Sequence, residues 1–250
     1  MGAGLPLIRR DMKQKTIEQL LKSGKKHLGE QDIEIALGDF LEAEELDGDN
    51  PEIHYYLGII YARMGRYAIA GERFEKILDS DLAYLHKLHT QMILGYIYTI
   101  REEYEKALSV FHRVLEEGVE NAQAYAAIGY IMDRQGDFKE AVMNLYHAVE
   151  IDPKNANAHN SLGYIFAESN LNLDEALKEC KKAVSLDKDN PAYLDSLGWV
   201  YFKLGDVSTA RGYLKKALKM APDNDDIREH LDTLLRSQGE VNSGEEPPDL

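Results

Sequence analysis

Apolar residues in this chain fall in sets spaced by four and then three residues, the spacing of one face of an α-helix. The sets are Ala36/Phe40/Ala43, Ala70/Phe74/Ile77, Ala107/Phe111/Val114, Ala141/Leu145/Ala148, Ala176/Cys180/Ala183 and Ala210/Leu214/Ala217. A glycine precedes each set: Gly24, Gly58, Gly95, Gly129, Gly163 and Gly198, at intervals of 34, 37, 34, 34 and 35 residues. Five of the alanines lie 12 residues after their glycine and Ala176 lies 13 after. Self-similarity at this period overrides local assignment and predicts stacked helix pairs with no sheet. Polar breakers divide the pairs. Gly65, Gly136 and Gly205 are placed to end first helices in the left-handed conformation. Asp137 and Asp206 then fall where a second helix needs its N-cap, and Asp152-Pro153 and Ala221-Pro222 break the chain between pairs.

The clearest copy, LDSLGWVYFKLGDVSTARGYLKKALKMAPDN from Leu194 to Asn224, resembles the tetratricopeptide repeat (TPR). Leu197-Gly198, Tyr201, Ala210, Leu214, Ala217 and Pro222 match the family motif, and the resemblance covers residues 17–237. The chain departs from the motif at the tryptophan slot, which holds Leu20, His54, Gln91, Tyr125, His159 and Leu194. The resemblance implies an all-α, right-handed superhelical α-solenoid of antiparallel helix pairs, about thirteen helices in all.

The repeats read as 17–50, 51–84, 88–121, 122–155, 156–190 and 191–224, with a solvating helix over 225–237. A solenoid needs such a cap because its last repeat lacks a neighbour. Residues 1–16 read as a loose basic arm and 238–250 as an acidic, disordered tail. Residues 85–87 are an insertion, which predicts that the first helix of the third repeat starts about one turn early, with Ser80 or Asp81 as its cap. The extra residue near Asn170-Leu171-Asn172 predicts a longer turn inside the fifth repeat.

Charge narrows the range of partners. With 29 Lys and Arg against 44 Asp and Glu, the net charge is −15. Phosphate recognition rests on clustered cations, so nucleic acid is not expected, nor are anionic membrane surfaces. No apolar run reaches membrane-spanning length, and the start lacks a secretory apolar stretch, so the expected compartment is the cytoplasm. Catalytic patterns are missing as well. The one cysteine, Cys180, sits in a core slot. His86 and His89 share a spacing but make too few ligands for a metal. The glycines occur singly rather than as a phosphate-cradling loop. The expectation is no enzyme, no metal and no cofactor.

In the resembled family the first helix of each repeat lines a concave groove, which defines candidate partner-binding residues. Directly after the glycines come Lys25, Ile59, Tyr96, Tyr130, Tyr164 and Trp199, with four aromatics in consecutive repeats. Three residues before the glycines stand Tyr55, Met92, Asn160 and Asp195, and five after stand Arg134, Glu168 and Lys203. Partly exposed aromatics with polar tips make good binding anchors, although the same rings would serve to pad the space between first helices. The groove ranks lack the Lys and Asn set of carboxylate-clamp relatives, Asn160 being the one Asn there. The expected function is a protein-interaction adaptor or scaffold that holds a peptide or helix. The alternatives are a self-associating structural subunit and a non-catalytic accessory subunit of an enzyme or transporter.

Overall fold

The computed structural model describes residues 4–118 and 120–239, with side chains from residue 12 onward. The described residues form thirteen α-helices and no strand. The helices are α1 (Gly4–Gly29), α2 (Ile33–Leu46), α3 (Pro51–Arg63), α4 (Tyr67–Glu75), α5 (Tyr84–Ile100), α6 (Tyr104–Glu116), α7 (Ala122–Arg134), α8 (Phe138–Ile151), α9 (Ala156–Glu168), α10 (Leu173–Leu186), α11 (Pro191–Lys203), α12 (Val207–Met220) and α13 (Asp225–Ser237). They divide into two compact units, an N-terminal one ending at Gly118 and a C-terminal one beyond it. In both, odd-numbered and even-numbered helices pair antiparallel; α2 then packs on α3 and α4 on α5 in the first unit, and α8 on α9, α10 on α11 and α12 on α13 in the second. The C-terminal unit also sets α7 beside α9, α9 beside α11 and α11 beside α13.

Size complementarity inside each pair explains the six-fold phase. The six motif alanines, and the residues four positions on from them, are fully buried. A Cβ added at Gly24 or Gly58 would stand 2.7 Å from the ring of Phe40 or Phe74, and one at Gly95 or Gly129 would stand 2.6 Å from Phe111 or Leu145. The bulky side chain of the second helix thus fills the space that the glycine of the first helix leaves. In the fifth pair the same vector runs into Cys180 Sγ, and also into backbone, with Ala176 O at 2.9 Å and Cys180 N at 3.0 Å. Here the two backbones come closer, which is why a small residue stands where the other pairs carry Phe or Leu. Burial pushes the Cys180 thiol up, so it is an inert core residue in the folded state.

Local chemistry sets the helix ends. Gly65, Gly136 and Gly205 have φ of 71°, 83° and 84°. The same rank in the other repeats is held by Gln31, Glu102 and Asn170, all with φ between 50° and 71°. The turn geometry therefore persists where the glycine does not. Asp137 and Asp206 accept hydrogen bonds from the amides of Glu140 and Thr209, as a capping residue does. Asn50, Asn121, Asn155, Asn190 and Asn224 cap α3, α7, α9, α11 and α13 through their side-chain oxygens. Each such cap contributes about 1 kcal/mol. Asn172, also left-handed, lengthens the turn of the fifth repeat.

The third repeat opens with a helix of 17 residues where the other first helices of repeats two to six have 13. That is the expected extra turn, but its cap differs from expectation. The N-cap is Ala83 and makes no side-chain bond, because Ser80 Oγ is committed to Ile77 O at 2.7 Å in the turn closing α4. The loose arm is also corrected. From Gly4 the backbone is helical and runs without a break into the first repeat. Pro6 falls in the first turn, where its missing N–H costs no helical bond. The expected disordered tail lies outside the described residues from 240 onward.

Candidate functional site

The first helices of the C-terminal unit and α13 enclose a cleft of about 430 Å³. α7 contributes Tyr130, Asp133 and Arg134, and α9 contributes Asn160, Tyr164 and Glu168. Asp195 and Trp199 come from α11 and His230 from α13. The repeat produces this convergence. Successive first helices lie side by side, so residues of one rank become neighbours on one surface. Six of the candidate residues meet here: Tyr130, Arg134, Asn160, Tyr164, Asp195 and Trp199. Lys203 stands next to them, its Nζ 4.9 Å from the Trp199 ring and 3.7 Å from Glu168 Oε1.

Exposure separates the members. Tyr130 is 43% exposed and Tyr164 half-buried. Trp199 was expected to be partly exposed but is 7% exposed, and Asp195 is 6% exposed. The cause is α13. Its His230 ring stacks on Trp199 with centroids 4.2 Å apart, and its Nδ1 lies 2.9 Å from Asp195 Oδ2. Phe202 stacks on Trp199 as well, at 5.1 Å, and the indole Nε1–H donates to Glu168. The capping helix was read from sequence only as a solvating end. A signal was present, however: His230 follows Ile227 by three residues and precedes Leu231 and Leu234, so it belongs to the buried stripe of α13.

The cleft is electrically lopsided. Burial, then Glu168, Asp195, Asp133 and Asp226, push the Tyr164 hydroxyl well above its ordinary value. Burial raises the Asp133 carboxyl, Glu168 adds to that, and Arg134 opposes it. Asn160 and Asp195 are lining residues whose Oδ1 atoms are buried and have no hydrogen-bond donor within the protein.

The remaining candidates belong to the N-terminal unit. Tyr55 is buried rather than displayed, its ring 4.3 Å from His86 and its hydroxyl 2.8 Å from His89 Nδ1. Burial, with Tyr56 second, raises its hydroxyl to about 12. Ile59 and Met92 are half-buried. Tyr96 is 40% exposed and meets the edge of Phe111 at 5.4 Å. Among the described residues no group of three or more His, Cys, Asp or Glu side chains is placed to hold a metal ion. No helix among them is long and apolar enough to cross a membrane.

Antiparallel helix pairs in series, held by a repeated glycine, alanine and bulky residue, define a tetratricopeptide-repeat domain, in general a protein–protein interaction module. Residues 12–247 match the family described as the Cilia and flagella-associated protein 70 C-terminal domain, and the chain belongs to that family. Over 65 residues it is 37% identical to the TPR repeat-containing protein PA4667 of Pseudomonas aeruginosa. That segment is 26% of this chain and spans only 11% of the relative's length. Among solved structures, a tetratricopeptide repeat protein of Parabacteroides merdae superposes with a TM-score of 0.71 at 17% identity, covering 90% of this chain and 88% of that one. YrrB, described as a TPR protein with an unusual peptide-binding site, gives 0.50 at 22% identity, covering 78% and 97%. At these identities the likeness is one of fold.

Proposed function

We propose that the chain is an adaptor that holds an extended segment or short helix of a partner protein in the cleft of its C-terminal unit. The observation that carries this reading is a cleft of about 430 Å³ walled by Tyr130 and Tyr164 and lined by the first helices of three successive repeats. A cleft of that size falls in the range of small-ligand pockets, so it seats one or two side chains of a segment running across it. Amphipathic rings give such a segment contact area at little entropic cost. YrrB, by its description, binds peptide, and that supports the reading by analogy of fold alone. The family's name adds a ciliary or flagellar setting to the adaptor role.

Site-specific photo-crosslinking tests the reading. A photoreactive residue at position 130 should form an adduct with a second protein, and the same group at Tyr146, exposed on α8, should not. Equal adducts at both positions would move the interaction off the cleft. An adduct with a second copy of this chain would replace the adaptor by a self-associating subunit.

A further inference from the structure

Resting on that reading, we infer that the cleft selects a basic side chain, an arginine, on the segment it holds. Charge complementarity is the first argument. The lining carries the carboxylates of Asp133, Glu168, Asp195, Asp226 and Glu229, against the guanidinium of Arg134 and the imidazole of His230. Lys203 already serves Glu168, and His230 already serves one oxygen of Asp195. An anionic or carboxylate-ended ligand meets net repulsion here, and a cation is drawn in.

A second argument comes from the unmet acceptors. Asp195 is 6% exposed, and while its Oδ2 meets His230, its Oδ1 has no donor. Asn160 Oδ1, from the neighbouring helix, is in the same condition. Buried acceptors without partners are costly, and a ligand that supplies N–H groups recovers that cost on binding. Both oxygens are covered by protein atoms, so a guanidinium reaches them once a neighbouring side chain of the lining turns aside.

Geometry favours arginine over lysine. A guanidinium presents several N–H groups in one plane, enough to reach two acceptors on adjacent helices, whereas an ammonium is a compact point charge. The half-exposed faces of Tyr130 and Tyr164 supply aromatic surface for the planar cation. After burial, the carboxylates of Glu168, Asp195, Asp133 and Asp226 raise the Tyr164 hydroxyl, which agrees with a site rich in negative charge.

The chain has one tryptophan, so its indole N–H gives a single resonance in a proton–nitrogen correlation spectrum. That proton is donated to Glu168 inside the cleft and reports directly on occupancy. The probes are three capped pentapeptides, Ala-Ala-X-Ala-Ala, with X as arginine, lysine or the neutral isostere citrulline. They are titrated into the full chain at about 0.15 M ionic strength, where distant surface charge is screened. The arginine peptide should shift the Trp199 indole with an affinity at least about tenfold above citrulline, as expected of charge-assisted bonds, and lysine should fall between. Asp133→Asn should weaken the arginine peptide about threefold or more. Glu150→Gln, on an 82% exposed side chain of α8 and of equal charge change, should leave it as in the wild type. Equal shifts from citrulline and arginine would overturn the charge inference and leave the peptide-groove reading standing. No shift of the indole with any peptide would overturn the inference too, while the crosslink at position 130 judges the groove reading separately.

Discussion

His230 covers Trp199: their rings lie 4.2 Å apart at 18° between planes, although 31 residues and two intervening turns separate them. This contact closes one end of the cleft and fixes α13 against α11. His230→Ala should therefore expose the indole and free Asp195 Oδ2, which now meets the imidazole. The expected outcome is a red shift of the single-tryptophan emission in the folded protein, with helix content by circular dichroism unchanged. Emission identical to the wild type would mean that something other than His230 shields the ring.

Backbone strain gives a test in the opposite direction. Glu102 holds φ of 58° in the turn where three other repeats use glycine. A left-handed residue other than glycine costs roughly 1–2 kcal/mol, part of which glycine gives back through its freer unfolded chain. Glu102→Gly should stabilise the fold by about 0.5–1 kcal/mol, read as a higher midpoint in urea. A lower midpoint would show that the Glu102 side chain contributes more than the strain removes.

Helix packing predicts four contrasting substitutions. Gly163→Ala places a Cβ against Cys180 Sγ and against backbone atoms at 2.9 and 3.0 Å, which cannot rotate away. It should cost about 2 kcal/mol or more. Gly212→Ala meets nothing within 4 Å in the middle of α12, so helix propensity alone acts and should stabilise by about 0.5–1 kcal/mol. Ala141→Leu, at a fully buried crossing, should cost roughly 1–3 kcal/mol, against under about 0.5 kcal/mol for the same change at exposed Lys139. Denaturation midpoints in the reverse order would break the packing scheme.

The difference between Gly163 and His230 marks how far the sequence could be read. Close helix approach admits only small residues, so Gly163 and Ala176 announce themselves at every period. Cys180 follows as the partner that fills what remains. Tyr130, Arg134, Asn160 and Tyr164 are legible for the same reason, since equal rank in successive repeats becomes adjacency in space. The burial of Trp199 and Asp195 is not legible by rank, because it depends on α13, which lies outside the period and pairs through His230. The turns at Gln31 and Glu102 were hidden too. Neither residue type favours the left-handed conformation that both adopt.

Protonation should act on the N-terminal unit. Burial holds the His54 imidazole below its ordinary value of 6.5, with Lys76 and Arg73 adding to it against the Gly48 carbonyl and Glu44. Burial lowers His89 as well, aided by His86 and Arg63. A histidine whose folded value is depressed favours the fold when neutral. Its contribution is full above the unfolded value and is lost as pH falls through it. Between pH 7.5 and about 5.5 the melting temperature should drop. In His54→Gln, whose amide can still donate to Gly48 O, the drop should be smaller. An undiminished drop would remove His54 as a cause.

The central claim concerns which surface holds the partner, and an affinity comparison tests it most directly. The protein captured by the crosslink at position 130 is titrated against the wild type, against Tyr130→Ala/Tyr164→Ala in the cleft, and against Phe138→Ala/Tyr146→Ala on exposed positions of α8. Loss of anchor aromatics should weaken binding by about 2 kcal/mol or more, roughly thirtyfold, while the α8 variant binds as the wild type does. Wild-type affinity in the cleft variant, with loss in the α8 variant, would contradict the account.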